Sequence, residues 1–121
     1  MNLPFISVII VSWNALHHLK RFLPSVYASD YPHFEIILAD NASTDESVLF
    51  VKENFPQVII TTFDINYGYC GGNNRAVSSA KGEILLFLNN DVEVDSNWLH
   101  AIGLEFLNTK VAAVQPKLLR L

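Results

Sequence analysis

The residue types that could do chemistry lie in four short polar clusters, each at or near the end of an apolar run. The clusters are Ser12-Trp13-Asn14, Asp40-Asn41, Asn66-Tyr67-Gly68 and Asn89-Asn90-Asp91. Their carboxylate, amide and hydroxyl groups can hydrogen-bond a polar ligand, and their aromatic rings can stack on one. If the apolar runs are neighbouring parallel strands, their carboxyl ends lie side by side, and that edge is where open α/β sheets bind ligands. The spacing therefore predicts a site for a polar ligand.

Asp91 is the residue best suited to hold a metal ion. It follows Asn89 and Asn90 after the apolar run 84–88, which places a carboxylate at the mouth of a buried strand. Mg²⁺ and Mn²⁺ typically take one or two carboxylates and complete their coordination with substrate phosphates, which a bound diphosphate would supply. The alternative for this segment is that Asp91 begins a turn before the next helix.

Asp40 and Trp13 suit the recognition of a nucleobase. Asp40 has no basic neighbour in sequence, so its carboxylate could accept a hydrogen bond from the N3–H of uracil or thymine; the alternative is a helix-capping role. Trp13 could stack on the base, while Ser12 and Asn14 bind the edge of the base or the ribose. Taken alone, Trp13 would be assigned to the core, and its position beside the other strand ends favours the ligand.

A segment with three glycines follows the third apolar run: Gly68, Gly71 and Gly72. Their spacing does not match the dinucleotide-binding fingerprint, and the chain has no P-loop motif. They predict a loop over 64–72 that turns before a helix or lets backbone approach a ligand. Asn73 and Asn74 then open that helix, and Arg75 just inside it could contact phosphate or sugar oxygens. A surface ion pair is the alternative for Arg75.

Composition indicates one globular domain of 121 residues. Half of the residues are hydrophobic and 17% are charged, which excludes a disordered chain and fits a sheet buried on both faces. The net charge of -4, with scattered basic residues, predicts no nucleic-acid partner. The single cysteine, Cys70, is expected to be a reduced thiol. The first apolar run is too short for a signal core or a membrane span, so we expect the cytoplasm, with peripheral attachment to the inner face of a membrane left open.

The elements that must position these residues alternate between strand and helix. This order predicts an α/β fold, a Rossmann-like and mainly parallel sheet flanked by helices. Strands are expected over 5–11, 34–39, 58–63 and 83–88, with a further short strand near 111–115. The chain stops at Leu121 directly after apolar residues, and we expect it to be the N-terminal part of a longer protein.

Helix boundaries follow from capping and breaking residues. Asn14 is available to cap the first helix, Pro24 should kink it or start a new helical turn, and Ser43 to Glu46 has the spacing of a capping box. The third helix is expected over 73–80, ended by a left-handed Gly82. Asp95 or Ser96 is expected to cap a final helix through Trp98, Ile102, Phe106 and Leu107.

These residues resemble a known family. The chain is similar to the N-terminal, nucleotide-sugar-binding half of family 2 glycosyltransferases with the GT-A fold, over the segments Ser7 to Asn14, Glu35 to Asp45, Asn66 to Asn74 and Gly82 to Asp91. Its Gly-Gly-Asn-Asn segment looks most like the rhamnosyltransferase-like branch, which builds bacterial surface polysaccharides. The likeness covers essentially the whole chain as a single domain, 1–121.

The resemblance implies roles for individual residues. Ser12, Trp13 and Asp40 would contact the base, with Trp13 where the family often has a tyrosine. Arg75 would lie near the diphosphate or sugar. Asn90 and Asp91 would correspond to the end of the family's D-x-D-type motif, with Asp91 holding Mn²⁺ or Mg²⁺. Asn89 and Asn90 stand where many relatives have acids.

The resemblance also implies an activity for the parent protein. It would transfer a sugar, with inversion, from a UDP- or dTDP-sugar to a hydroxyl of a glycan or lipid-linked acceptor. A downstream carboxylate would act as the general base; it is expected beyond Leu121, so we expect no catalytic residue in this chain and no turnover by the chain alone. The alternatives are a non-catalytic nucleotide-sugar-binding module and, last, a sugar nucleotidyltransferase. Exposed apolar surface at the sheet edge predicts self-association, for example as a homodimer.

Overall fold

The computed structural model describes residues 2–120 and contains four parallel strands that alternate with helices. The sheet order is β3-β2-β1-β4. The elements are β1 (Ile6–Ser12), α1 (Leu16–Tyr27), β2 (Phe34–Asp40), α2 (Ser47–Asn54), β3 (Ile59–Thr62), α3 (Gly68–Ala76) with a 3-10 turn (Val77–Ser79), β4 (Ile84–Leu88) and α4 (Trp98–Glu105). The predicted α/β fold with a parallel sheet is confirmed. None of the helices within residues 2–120 has the length and apolarity needed to span a bilayer.

The central strands β1 and β2 are covered on both faces, which explains their near-continuous apolarity. Side chains of a strand alternate between faces. Val8 and Ile10 of β1 pack on one face with buried residues of α1, α2 and α4, whereas Ile9 packs on the other face with Ala76 of α3. The larger core therefore lies under three helices, and α3 alone covers the opposite face near the middle of the sheet.

The first strand lies in the middle of the sheet and determines where a ligand site can form. β2 pairs along one side of β1 and β4 along the other, because the chain runs outward from β1 through β2 to β3 and then crosses back to place β4 on the free side of β1. A crevice forms at the carboxyl edge where a strand order reverses in this way. Ser12 is in register with Asp40, and Asp40 with Thr62, so the polar clusters after these strands meet at that edge.

The third helix differs from its prediction at both ends. It begins at Gly68 rather than near Asn73, so Gly71 and Gly72 lie inside a helix and not in a loop. Gly68 has φ of 75°, and it alone uses the left-handed freedom of glycine. A Cβ atom on Gly72 would lie 3.0 Å from Asn41 Nδ2 and 3.1 Å from Val11 Cγ1, so this glycine lets α3 pack closely on the sheet.

Gly82 also has a packing role rather than the predicted left-handed one. The helix has already ended at Ala76, and the 3-10 turn follows it. A Cβ atom on Gly82 would lie 2.6 Å from the backbone nitrogen of Ser7. The glycine is therefore required by the close approach of the segment before β4 to β1.

The predicted caps of the first two helices are wrong. Neither Asn14 nor the Ser43 to Glu46 box makes the expected bonds, because both helix ends use Asp45 instead. Asp45 Oδ2 accepts a hydrogen bond from the Leu16 amide, and its Oδ1 accepts one from the Ser47 amide. Local spacing could not reveal the Leu16 bond, since its partners lie on different loops.

α1 continues through Pro24 as one helix, without the new helical turn expected there. Its buried residues, which include Leu19, Leu23 and Val26, anchor the helix on the sheet, and Pro24 itself is exposed.

Asp95 does act near the start of α4, where its Oδ1 accepts a hydrogen bond from the Asn97 amide. That helix ends at Glu105, before Phe106 and Leu107.

The short strand predicted near 111–115 is wrong. Residues 111–120 adopt no regular structure, and most of them are exposed. A strand forms only with a hydrogen-bonded neighbour, and the sheet among residues 2–120 contains four strands. The apolar, β-branched composition of this segment was therefore insufficient to form a strand.

Candidate functional site

Asp40 is the centre of the polar edge. It is buried, with 2% of its surface exposed, at the end of β2. Its Oδ2 atom accepts a hydrogen bond of 3.0 Å from the Ser43 amide, whereas its Oδ1 atom has no partner in the part of the chain that the structure describes. An unpaired buried carboxylate oxygen is energetically costly, and a donor from a ligand would remove that cost.

Ser12 lies beside Asp40 with a second free group. The two residues are in register, and strand alternation turns both side chains to the face that α1 and α2 cover. The Ser12 hydroxyl is buried and also lacks a partner within residues 2–120. Two groups without partners therefore lie at adjacent positions of this edge. The Ser12 hydroxyl can donate or accept a hydrogen bond, and Asp40 Oδ1 can accept one.

Trp13 is exposed and not part of the core. It follows β1 directly, and 56% of its surface is accessible. The core assignment that its residue type alone would suggest is thus wrong. A flat ring is available for stacking one residue beyond Ser12.

Asn14 makes bonds within the protein. Its Oδ1 atom accepts hydrogen bonds from the backbone amides of Thr44, at 2.7 Å, and Asp45, at 3.2 Å. Its own amide donates to Ser43 Oγ. The loop after β1 is therefore joined to the loop after β2.

Asn41 and Asn66 shape the start of α3. Asn41 is buried; its Oδ1 atom accepts from the Tyr67 amide, and its Nδ2 atom donates to the Gly68 carbonyl. Asn66 Oδ1 accepts from the Gly68 amide. These carboxamides are used by backbone groups, and with Gly72 they fix α3 against β1 and β2.

Asn73 is the buried polar residue of α3. It is 6% exposed, and its Oδ1 atom has no partner among the described residues. Arg75, in contrast to Asn73, is exposed. Its guanidinium carbon lies 3.4 Å from the centroid of the Tyr67 ring, and its Nη1 atom donates a hydrogen bond to the Gly71 carbonyl. Tyr67 is itself held by a hydrogen bond from its hydroxyl to Asp64 Oδ1. Cation–π stacking thus fixes the Arg75 guanidinium.

The turn after β4 reaches the same edge. Asn90 Nδ2 donates a hydrogen bond of 3.2 Å to the Val11 carbonyl, which joins this turn to the end of β1. Asp91 follows in the turn and is exposed. Residues 2–120 contain no group of three or more His, Cys, Asp or Glu side chains that could enclose a metal ion. The donor set fits a cation shared between the Asp91 carboxylate and ligand phosphates.

Asp45 was missed as a site residue by sequence reasoning. Burial, the largest single effect on this carboxyl, raises its pKa, but hydrogen bonds from Ser47 and from the Leu16 amide together outweigh burial and lower the pKa. Its position in Ser-Thr-Asp after β2 is a recognisable turn signal. Its bond to the first helix, however, depends on tertiary structure.

The family can be identified from nearly the whole chain. The model of glycosyl transferase family 2 matches residues 7–120. The chain belongs to this family. The match includes the polar residues at the strand ends, so these can be compared with the corresponding residues of family 2 members.

Two kinds of relative agree with this assignment. The O-antigen biosynthesis protein RfbC of Myxococcus xanthus is 37% identical over 120 residues, 96% of this chain and 9% of RfbC. The crystal structure of Staphylococcus aureus TarS 1-349 in complex with UDP-GlcNAc superposes with a TM-score of 0.77 at 25% identity, over 87% of this chain and 31% of that one. The family 2 chain thus has the fold of a glycosyltransferase domain.

A third relative contains a metal ion. The mannosyltransferase PcManGT of Pyrobaculum calidifontis, in complex with GDP-Man and Mn²⁺, has a TM-score of 0.73 at 25% identity, over 85% of this chain and 32% of that chain. The family 2 chain spans about a third of these two structures and less than a tenth of RfbC.

Proposed function

We propose that this chain binds the nucleotide of a UDP- or dTDP-sugar, and that the protein transfers the sugar to an acceptor hydroxyl in the synthesis of a polysaccharide or cell-surface glycan. The observation that carries this proposal is the buried, unpaired Oδ1 atom of Asp40 at the carboxyl edge of the sheet. The names of the relatives support the class of donor and product, since TarS was crystallised with UDP-GlcNAc and RfbC acts in O-antigen biosynthesis.

The base is recognised by Asp40, Ser12 and Trp13. Asp40 Oδ1 accepts the hydrogen bond of the N3–H group that uracil and thymine share, and the Ser12 hydroxyl donates to an adjacent base carbonyl. Trp13 stacks on the face of the ring. Because both polar groups are buried and lack partners among the described residues, hydrogen bonds to the base would satisfy them.

The diphosphate lies towards α3 and the turn after β4. Asn73 offers its unpaired carboxamide, and the fixed guanidinium of Arg75 offers charge-assisted hydrogen bonds to phosphate or sugar oxygens. Asp91 would hold a divalent cation, Mn²⁺ or Mg²⁺, whose chemistry would be to offset the negative charge of the diphosphate.

The transfer is inverting in this proposal. The acceptor oxygen attacks the anomeric carbon, the bond from that carbon to the diphosphate breaks, and a carboxylate takes the proton of the acceptor hydroxyl. We assign this general base to no residue of the chain. The roles of the chain are donor binding and orientation, at the inner side of the cytoplasmic membrane or in the cytoplasm.

Calorimetric titration with UDP, dTDP and GDP, each with and without Mn²⁺, tests the donor site. We expect UDP or dTDP to bind with Mn²⁺, and Asp40→Asn to weaken binding roughly tenfold or more because a charged acceptor is lost. Asp30→Asn, at an exposed aspartate after α1, is the matched control. Equal affinity of the Asp40 variant and the wild type would refute the assignment of the base.

The exposed position of Asp91 favours one second candidate, a nucleotide-sugar-binding module without catalysis. Asn89 and Asn90 precede it, so the turn supplies a weak donor set. Asp91→Ala in the whole protein separates the two functions, with Glu93→Gln as control. Loss of both Mn²⁺-dependent binding and transfer supports the enzyme, whereas unchanged binding in a protein that never transfers sugar supports the module.

A further inference from the structure

The loops that follow β1 and β2 are joined by hydrogen bonds between their own residues. Asn14 Oδ1 accepts from the Thr44 and Asp45 amides, and the Asn14 amide donates to Ser43 Oγ. Ser43 in turn donates its amide to Asp40 Oδ2. A continuous chain of bonds therefore runs from the residue after Trp13 to the carboxylate of Asp40.

The backbone at these loops is held in an unfavourable conformation. Asn14 has φ of 45° and Ala42 has φ of 59°, and both lie in the left-handed region that non-glycine residues rarely adopt. Asparagine tolerates this region better than most residues, and alanine does not. Such conformations persist only where surrounding interactions determine them, and they concentrate at functional sites.

Asp45 extends the connection to the helices. Its two carboxylate oxygens accept the amides of Leu16, at 3.2 Å, and Ser47, at 3.1 Å. These residues are the first of α1 and of α2. One side chain therefore aligns the starts of both helices beside the strand ends.

We propose that Asn14 and Asp45 are positioning residues, which hold Trp13 and Asp40 in the geometry that binds the nucleotide before the nucleotide arrives. This inference rests on the proposed donor site, and it gives Asn14 a different task from direct contact with base or ribose. The hydrogen bonds that join the loops lie within the protein and need no ligand, so binding would not have to order the loops. Loss of either side chain lowers affinity without removing a ligand contact.

Two substitutions of Asn14 separate the contribution of its Oδ1 acceptor from that of its left-handed backbone conformation. Asn14→Gly keeps the left-handed conformation and removes Oδ1, whereas Asn14→Asp keeps an oxygen acceptor in a residue that also tolerates this conformation. We expect Asn14→Gly to bind UDP with Mn²⁺ roughly tenfold more weakly, because two hydrogen bonds to the loop are lost. Asn14→Asp should stay within about threefold of the wild type, because its added charge is partly exposed and screened.

A measurement on the ligand-free protein provides the second readout. Amide hydrogen exchange at Thr44 and Asp45 should accelerate in Asn14→Gly and remain slow in Asn14→Asp. Asn108→Gly is the matched control, because Asn108 Oδ1 also accepts a backbone amide, that of Lys110, outside the site. Thermal denaturation verifies that each variant is folded.

The outcomes distinguish the two proposals. Unchanged exchange and affinity in Asn14→Gly would overturn the positioning role, and so would equal weakening by both variants with slow exchange, which indicates direct ligand contact. Failure of the wild type to bind UDP, dTDP or GDP counts against the donor site. In that case the amide exchange rates at Thr44 and Asp45 still show whether Asn14 holds the loops that carry Trp13 and Asp40.

Discussion

At the scale of single residues, the two oxygens of Asp40 have different environments. Oδ2 is occupied by the Ser43 amide, which fixes the carboxylate plane, and Oδ1 is left to accept one more donor. The helix-capping alternative considered from sequence is wrong, because the Ser43 amide lies before α2, which begins at Ser47. The same carboxylate orders a turn through one oxygen and has no partner for the other within the described residues.

Trp13 should report the arrival of a base. In a Trp98→Phe background, Trp13 is the remaining tryptophan, and its emission should change when UDP binds. Trp13→Ala should weaken UDP binding by about 1–3 kcal/mol, the usual value of stacking one base on an aromatic ring. Trp98 is a suitable control because its Nε1 atom donates to Ser29 Oγ, away from the strand ends. Unchanged emission at saturating UDP would contradict the stacking role.

Asp45 should make stability depend on pH in the acid range. Its pKa in the folded protein lies below the usual 3.8, so the ionised carboxylate stabilises the fold above that pH, and the contribution disappears as pH falls through the folded pKa. Asp45→Asn should cost about 1 kcal/mol at neutral pH, as loss of a helix cap does.

Thermal denaturation of both proteins from neutral to acid pH measures this contribution. The wild type should lose stability more steeply than the variant as the pH falls towards 3.8 and below. Asp30→Asn controls for the loss of one surface charge. Parallel curves for wild type and Asp45→Asn would show that the carboxylate makes no such contribution.

At the scale of elements, the segment before β4 is fixed by contacts rather than by its own propensity. Gly82 donates its amide to Ser7 Oγ, and the Ser7 hydroxyl donates to Glu35 Oε1, which also accepts the Lys81 amide. These bonds tie the start of β4 to β1 and β2 at the end of the sheet opposite the site. They help to set the register that brings Asn90 and Asp91 to the other edge.

Gly82→Ala should therefore be more damaging than Gly68→Ala. The added Cβ would lie 2.6 Å from the Ser7 backbone nitrogen, and overpacking of this kind costs about 1–3 kcal/mol or more. Gly68 has open space around it, so its substitution costs only the left-handed backbone, about 1–2 kcal/mol. Urea unfolding at equilibrium gives both values. A larger loss for Gly68→Ala would mean that the contact at Ser7 relaxes easily.

At the scale of the whole molecule, β4 is an edge strand with an apolar face. Leu85 is 39% exposed and Phe87 is 48% exposed, on the face opposite Ile84, Leu86 and Leu88. Exposed apolar residues on a strand whose outer edge is unpaired promote association between chains. This surface is the basis for the expected self-association.

Light scattering over a range of concentrations should show a mass that rises with concentration. Phe87→Lys should shift the profile towards the monomer, because a charge on an edge strand opposes pairing. Leu119→Lys is the comparison, since that leucine is more exposed but lies in the irregular segment 111–120. Equal effects of the two variants would place the association elsewhere than β4.

The four strands and the edge they form were predictable, because buried parallel strands produce apolar runs that are visible in the sequence. What could not be predicted depends on contacts between distant residues. The start of α3 at Gly68 depends on Asn41, and the caps of α1 and α2 depend on Asp45. The assignment of ligand contacts to Asn41 and Asn66 remains a prediction, since their side chains also serve the backbone of this edge.

The position of β1 has a consequence for synthesis on the ribosome. Of the four strands, β1 is made first and can pair with β2 before β4 is made, but its other edge waits for β4, whose Ile84 is the partner of Ile6. Until then the nascent chain exposes one side of the strand that is most buried in the folded domain. Domains with such long-range pairing fold slowly and aggregate readily. Chaperone holding during translation should therefore matter most in the interval before Leu88 leaves the exit tunnel.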